Sequence, residues 1–432
     1  MTKKLKIDKQ FLLSPWNMSF ILGSLSICFY FIPNQIYQNY VKENANLFLN
    51  LKAVFFIFVC STSFSLSSFV AYKILVSKRV KVKTIYNPAF VPIQIIIFLL
   101  TIINIAYLAL TLGFSNLLSV YSSGDTSNGN YLKLQLSEAI SNGKLGWIGD
   151  LCIALIVWSF WVALRSGKKR AFSLLIPNIL LSVIVSLISV SRDSVISLVV
   201  MLSCIYIQFL ISRNMLSIKR VAIVLVSFFA LFASTFTLVG LARSSNFESA
   251  SFEVTKQFMG YFPASYNRLA FVLDGDLKYP DSGWGYYSTQ LIWDVPLLSG
   301  ALGIYSFARE IGLPLPVSSQ DNYQRQFTSV KESGLDPSYI WSTIFGFTYS
   351  DFGYFAIFYF LIYGVLSGAV YSLFRVGNNF AIIVYPFILA SIVKWPSIVS
   401  FSQRGLIIFI AAWLIVTFIN NLLSEKRYVN AL

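Results

Sequence analysis

Six arginines lie next to the ends of apolar runs or within one long polar segment of the sequence. Arginine presents a planar set of donors that binds the oxygens of a phosphate or a carboxylate in pairs. A group of such side chains, partly removed from water, suits the head group of an anionic lipid. The six candidates for binding an anion are Arg192, Arg243, Arg268, Arg309, Arg325 and Arg404.

Carboxylates in the same parts of the sequence are the candidates for a general base. The chain has no histidine, which excludes histidine bases, histidine metal sites and haem ligation. It also lacks a GxxxxGK[ST] phosphate-binding loop. The energy for any reaction must therefore come with the substrate, and we expect neither a cofactor nor a metal ion. Asp351 and Glu310 are the acids we favour as a base for a hydroxyl group.

Each of these residues also has a plain structural explanation. Single arginines near a membrane can reach lipid phosphates or pair with nearby acids. Asp150 and Lys394 lie inside apolar runs, where a charge is costly, so they are either functional or an ion pair with each other. The acids of the Asp274 to Asp276 stretch predict a solvated turn. The many aromatics after residue 260 suit either sugar rings or a membrane interface.

The elements that must position these residues are membrane-spanning helices. Of the 432 residues, 56% are hydrophobic and only 12% charged, with a mean hydropathy of +0.69, a composition typical of membrane proteins. Apolar runs of roughly 18 to 25 residues are long enough to cross a bilayer as helices. We predict an all-α polytopic bundle with about ten spans, at 16–32, 51–71, 89–112, 147–164, 171–190, 194–211, 221–241, 353–374, 380–399 and 406–423.

The distribution of lysine and arginine predicts the orientation of this bundle. With the N-terminus inside, the inner segments hold most of the basic residues and only two acids, Asp8 and Glu425. This is the bias expected of cytoplasmic loops. The net charge of +15 is therefore a sign of topology, and because it is dispersed over short loops, a nucleic-acid partner is not expected. Both termini are predicted to be cytoplasmic.

Three regions follow from this topology: a bundle of about seven spans at 1–241, a large outer loop at 242–352 and a bundle of about three spans at 353–432. Apolar residues of the loop recur at helical spacing from Phe258 to Leu273, interrupted by Pro263, which predicts short amphipathic helices at the outer surface. The apolar stretch 295–311 is predicted not to span. The four cysteines all lie within spans and are expected to pack there, without forming disulfides.

Two stretches of this sequence are similar to a known family. Ser191 and Arg192 open a span, and in YIWSTIFGFTYSDFGYFAIFYFLIYGVLSGAVY an aspartate, an aromatic residue and a glycine (Asp351, Phe352, Gly353) precede a span with spaced glycines, Gly364 and Gly368. Together with a large loop late in a many-span chain, they resemble the O-antigen or oligosaccharide repeat unit polymerases (Wzy) of bacterial inner membranes. The O-antigen ligases are more distantly similar.

The resemblance implies a C-type glycosyltransferase fold and a role in lipopolysaccharide biosynthesis. It implies an undecaprenyl-diphosphate-linked glycan as donor and a second one as acceptor, joined on the periplasmic face of the inner membrane, with membrane lipids and a chain-length regulator protein as further partners. For the diphosphate we expect Arg192, Arg243 and Arg268, then Arg404, with Arg309 and Arg325 as further substrate contacts. Asp351 or Glu310 would be the base, although Asp351 could instead cap the eighth span.

Other functions fit the same layout. A flippase or transporter of lipid-linked oligosaccharides would also place charges in a cavity, but it has no need of a hundred-residue outer loop, and the sequence shows no internal repeat. The O-antigen ligases use a periplasmic histidine, which this chain lacks. A non-catalytic assembly protein would use the arginines to bind lipid head groups alone.

Overall fold

A computed structural model describes residues 9–43, 50–76, 89–112, 147–188, 192–241, 250–293 and 302–429, which form helices and no strands. The all-α class is therefore confirmed. The helices are α1 Pro15–Cys28, α2 Asn34–Tyr40, α3 Leu51–Val76, α4 Phe90–Leu112, α5 Ile148–Ser166, α6 Lys169–Ile188, α7 Arg192–Ser212, α8 Ile218–Leu241, α9 Ala250–Tyr261, α10 Pro263–Asp274, α11 Gln290–Trp293, α12 Ile304–Glu310, α13 Ser319–Glu332, α14 Thr343–Phe352, α15 Ala356–Arg375, α16 Asn379–Val393 and α17 Gly405–Val429.

The membrane-spanning part has fewer long helices than the ten predicted. Within the described ranges, seven helices are long and apolar enough to cross a bilayer, or eight if a bent pair is one span. The bent pair is α1 and α2, which meet at 97°, directly after the end of the predicted span 16–32. Pro33 explains the break, because a proline holds the residue before it in extended backbone, as it does Ile32. The helix α16 is also short, with 15 residues.

The spaced glycines of α15 allow this helix to lie directly against α3. A β-carbon added at Gly364 would lie 2.5 Å from the carbonyl oxygen of Phe64, and one added at Gly368 would lie 2.0 Å from that of Ser68. Small residues four apart let two membrane helices approach until their backbones touch. The motif quoted above therefore has a packing function, and it fixes the helix that follows Asp351.

The long run from Ala171 to Ile211 is divided as the sequence predicted. Helix α6 ends at Ile188 and α7 begins at Arg192, so the charged pair Arg192 and Asp193 stands at a helix end and not in the middle of a span. At the opposite end of α7, Gln208 donates to the carbonyl oxygens of Phe374 and Arg375. The termini of α7 and α15 therefore meet at that end of the bundle.

The segment after α8 contains helices, but one of them differs from the prediction. Helix α9 ends at Tyr261 and α10 begins at Pro263, the break that the proline predicted. Helix α10 was expected to be amphipathic and to lie at the surface, yet nearly all of its side chains are buried, because it packs against α3 and α14 and its Tyr266 hydroxyl hydrogen-bonds to Ser26 of α1. The predicted surface helix is part of the core.

Candidate functional site

Four helix ends meet at one end of the bundle and bring charged residues together. Helices α5, α7 and α17 begin there and α16 ends there. Lys394 Nζ lies 2.7 Å from Asp193 Oδ2, and Arg404 Nε lies 3.4 Å from Asp150 Oδ2. We call Asp150, Arg192, Asp193, Lys394 and Arg404 the ion-pair end. The proposed pairing of Asp150 with Lys394 is wrong, because each has a different partner.

The two ion pairs are open to their surroundings. Side-chain exposure is 15% for Lys394 and 62% for Asp193, and 31% and 37% for Arg404 and Asp150. Both acids also lie in the first turn of a helix, α7 for Asp193 and α5 for Asp150, where the helix dipole stabilises a negative charge. The acids therefore retain a favourable interaction if an anionic ligand displaces them from the two cations.

Two of the predicted arginines can be placed only in part. Arg192 is the first residue of α7 and so stands at the ion-pair end, but the structure does not describe its side chain. Arg243 lies outside the described residues. Among the predicted anion-binding residues, the structure thus brings Arg192 and Arg404 to one end of the bundle and adds Lys394, which the sequence analysis had treated as either functional or an ion-pair partner of Asp150.

Asp351 is buried where the end of α14 meets the turn that carries Ser288. It lies near the end of α14, is 4% exposed, and its Oδ2 accepts a hydrogen bond of 2.7 Å from the backbone N–H of Ser288. Its other oxygen, Oδ1, is buried and has no hydrogen-bond partner among the described residues. Gly353, with a φ of +58°, ends the helix. Asp351 therefore does not cap α15, whose N-cap is Phe355, and that alternative is wrong.

A turn from the segment between α10 and α11 closes over Asp351. Gly285 lies so near the ring of Phe352 that a β-carbon would come within 3.1 Å of it. The following turn, Tyr287–Thr289, contacts the Ser400–Ser402 turn, whose Ser402 Oγ is 2.7 Å from the hydroxyl of Tyr359. Arg404 is two residues further along. We call Ser288, Asp351, Phe352, Tyr359 and Ser402 the Asp351 corner, and the 400–404 segment joins it to the ion-pair end.

Arg268 has a different environment from the other arginines. It is fully buried, and its Nη2 lies 2.5 Å from Glu43 Oε1 and donates to the carbonyl oxygen of Asp336. Its Nη1 donates to the carbonyl oxygen of Ala264. Burial is the largest single influence and lowers the pKa of Arg268, but the charge and hydrogen bond of Glu43, together with Tyr37 and Tyr279, raise the pKa above its usual value. A diphosphate could reach this guanidinium only by displacing partners that it already has.

Glu43 is a buried acid that the sequence analysis did not identify. Besides Arg268 Nη2, it accepts hydrogen bonds from the Tyr37 hydroxyl at 2.5 Å, from Asn267 Nδ2 at 2.8 Å and from the backbone N–H of Asp336 at 3.1 Å. We call these five residues the Glu43 cluster. Apart from Tyr37, the partners of Glu43 are more than 200 residues away in the chain. The only signal in the sequence was that Glu43 is an acid in the short connection after the first predicted span.

The other predicted site residues lie on α12 and α13. Arg325 is paired with Asp281 at 2.5 Å and with Asp321 at 2.9 Å and is partly exposed. Arg309 and Glu310 are exposed at the end of α12. The turn predicted at Asp274 to Asp276 is present at the end of α10, where Asp274 is paired with Lys52. No group of three or more potential metal ligands occurs within the described residues.

The buried tyrosine next to Ser288 helps to fix the turn over Asp351. Burial raises the pKa of Tyr287 well above its usual value, so its hydroxyl remains protonated and donates to the carbonyl oxygen of Pro280 at 2.7 Å. Asn322 of α13 donates to the same carbonyl oxygen and to Asp281 Oδ2. The turn that carries Ser288 is therefore held from both sides by hydrogen bonds.

Comparison with known proteins adds one finding. Residues 332–395 match the family model of O-antigen polymerases, which confirms the resemblance stated from the sequence. The matched stretch contains α14 with Asp351, the glycines of α15, the whole of α16 and Lys394. No curated protein and no solved structure gives a significant match. The match supports a role in polymerising the polysaccharide of O-antigen. The long apolar helices indicate that the protein crosses the membrane several times.

Proposed function

We propose that this protein is a glycosyltransferase that polymerises undecaprenyl-diphosphate-linked oligosaccharide repeat units on the periplasmic face of the bacterial inner membrane. The observation that carries the proposal is that the stretch matching O-antigen polymerases contains both Asp351, buried with one free oxygen, and Lys394, at the ion-pair end. One stretch of about 60 residues therefore supplies an anion-binding cation and a candidate base.

In the proposed reaction, the diphosphate of the donor lies at the ion-pair end. Arg192, Lys394 and Arg404 take the place of a metal ion, because fixed cations stabilise the negative charge that develops on a diphosphate as it leaves. Arg243 remains a candidate for the same contact. The carboxylates of Asp193 and Asp150 give up their cations to the diphosphate and remain stabilised by the dipoles of their own helices.

The chemistry itself requires one proton acceptor. The acceptor hydroxyl oxygen forms a bond to the anomeric carbon of the donor glycan, and the bond from that carbon to the diphosphate oxygen breaks. Undecaprenyl diphosphate leaves with the electron pair, and the hydroxyl proton passes to Oδ1 of Asp351, the oxygen left without a partner. Glu310 is the second candidate for the base, and its exposure at the end of α12 makes it the weaker one.

The remaining predicted residues have supporting roles in this scheme. Arg268 holds the Glu43 cluster together and positions α10 beneath α14. It is therefore a positioning residue and not a direct contact of the diphosphate. Arg309 and Arg325 stand on the outer segment and are candidates for contacts to the glycan. The chain-length regulator expected from the resemblance would act on the same outer segment.

A ladder assay distinguishes this function from its alternatives. Purified protein in detergent receives native lipid-linked repeat units alone, without nucleotide or metal, and the products are separated by size. We expect a ladder of glycans that differ by one repeat unit. A flippase or an assembly protein forms no ladder, and a ligase gives a single transfer product and only with a lipid A core acceptor, so the absence of a ladder from verified native substrate contradicts the proposal.

A further inference from the structure

Trp284 is unusual among the tryptophans of this protein. All nine lie within the described residues, and Trp284 alone is exposed, with 60% of its surface accessible. Tyr286 and Tyr287, two and three residues later, are almost fully buried. Leaving an indole in solvent forgoes about 1.5 to 3 kcal/mol of burial energy, so an exposed tryptophan in an otherwise packed turn requires an explanation.

The backbone of the turn holds this side chain outward. Gly283 has a φ of +93° and Gly285 one of +75°, and Asp281 at the start of the turn has a φ of +57°. These are left-handed conformations that residues with a β-carbon rarely adopt. Since Gly285 also packs on the ring of Phe352, the turn cannot rotate to bury the indole without losing that contact. Trp284 is thus fixed beside the Asp351 corner.

Polar groups border the same turn. Asp281, three residues before Trp284, accepts hydrogen bonds from Arg325 Nη2 at 2.5 Å and from Asn322 Nδ2 at 2.8 Å, and Arg325 is partly exposed. An exposed indole on a turn that also carries charged and amide side chains offers both an apolar surface and hydrogen bonds, which is what a sugar ring with its hydroxyls requires. Because Asp281 is paired with Arg325, this pair carries no net positive charge that would attract anionic lipid head groups.

We propose that Trp284 is a binding platform for a sugar ring of the glycan, with Asp281 and Arg325 supplying polar contacts at its edge. The identity of the ligand as a glycan rests on the proposed function. Because Gly285 contacts Phe352 and the backbone N–H of Ser288 donates to Asp351, the turn that carries Trp284 is joined to the Asp351 corner. The platform would therefore orient the acceptor sugar whose hydroxyl reacts.

The test measures binding separately from catalysis. The probe is the repeat-unit oligosaccharide released from the native lipid-linked intermediate by mild acid, and its binding to purified protein is measured by equilibrium dialysis. We expect Trp284→Ala to raise the dissociation constant about tenfold and Trp284→Phe, which keeps an aromatic ring, to raise it about threefold or less. Phe307→Ala, at an equally exposed aromatic (62%) on α12, is the control and should leave binding unchanged.

The outcomes are separable from those of the ladder assay. If Trp284→Ala binds the oligosaccharide as wild type does while keeping its melting temperature, the platform is overturned. If Phe307→Ala weakens binding as much as Trp284→Ala, the effect belongs to exposed aromatics in general and the platform is likewise overturned. Binding that depends on Trp284 in a protein that forms no ladder would support the sugar platform and contradict the polymerase.

Discussion

Two buried carboxylates of this protein have the same exposure and opposite environments. Glu43 and Asp351 are each 4% exposed. Glu43 accepts four hydrogen bonds, one of them from a guanidinium, whereas Asp351 accepts one from a backbone N–H and keeps an oxygen without a partner among the described residues. Burying a charge is costly unless it is paired, so Glu43 suits a stabilising role in the fold, whereas Asp351 has the unsatisfied oxygen that the proposed reaction requires.

The largest expected effect comes from breaking the Glu43 cluster. Glu43→Gln keeps the shape of the side chain but leaves Arg268 charged and buried without its counter-charge. Removing one partner of a buried pair typically costs about 3 to 5 kcal/mol, so we expect a large fall in the melting temperature of the purified protein. A melting temperature equal to that of wild type would mean that the cluster does not stabilise the fold.

The arginines of the ion-pair end should affect polymer formation and not the stability of the fold. Arg192→Lys keeps the charge but loses the planar set of donors, so polymer formation should fall on the order of 10²-fold while the melting temperature stays unchanged. Arg404→Lys is expected to act in the same direction. Arg213→Lys, at an exposed position just beyond the opposite end of α7, is the matched control and should retain most of the activity. Wild-type polymer formation by Arg192→Lys would remove that residue from the diphosphate site.

A smaller effect is expected when a carboxylate of the ion-pair end is removed. Asp193→Asn frees Lys394 from its partner, so undecaprenyl diphosphate, used as the probe, should bind up to about fivefold more tightly, the equivalent of a partly exposed ion pair. Equilibrium binding in detergent measures this. Weaker binding would mean that Asp193 helps to bind the ligand and does not compete with it.

The smallest effect is expected at the exposed pair on α13. Asp321→Asn removes one of the two acids bound to Arg325, and both side chains of that pair are partly exposed. Exposed pairs of this spacing contribute about 0.3 to 0.5 kcal/mol, so thermal unfolding should change by little. A loss comparable to that of Glu43→Gln would show that exposure does not distinguish anchoring pairs from others in this protein.

The sequence predicted local features well because they depend on neighbouring residues. Apolar runs gave the helices, the charges at Arg192 and Asp193 gave the break between α6 and α7, and Pro263 gave the break between α9 and α10. The bend at Pro33 was within reach of the same reasoning and was missed. Three of the ten predicted spans are not among the seven long apolar helices of the described residues: 16–32, 221–241 and 380–399. An apolar run does not reveal that its helix is short, as α1 and α16 are.

Contacts between distant residues could not be predicted in this way. Asp351 was recognised as a candidate base, but the amide that binds it belongs to Ser288, far earlier in the chain, and no local pattern links the two. Arg268 was recognised as an arginine suited to an anion, but its anion proved to be Glu43. The glycines of α15 were recognised only as part of a motif, and their close packing against α3 comes from the structure.

The most direct test of the account combines two measurements on one variant. Asp351→Asn replaces a buried carboxylate by an amide of the same shape. The unfolding free energy of the purified variant should therefore stay within about 1 kcal/mol of the wild-type value. With native lipid-linked repeat units it should form no ladder, because a general base contributes about 10² to 10⁴-fold. A ladder as extensive as that of wild type, from a variant that is equally stable, would contradict the assignment of Asp351 as the base.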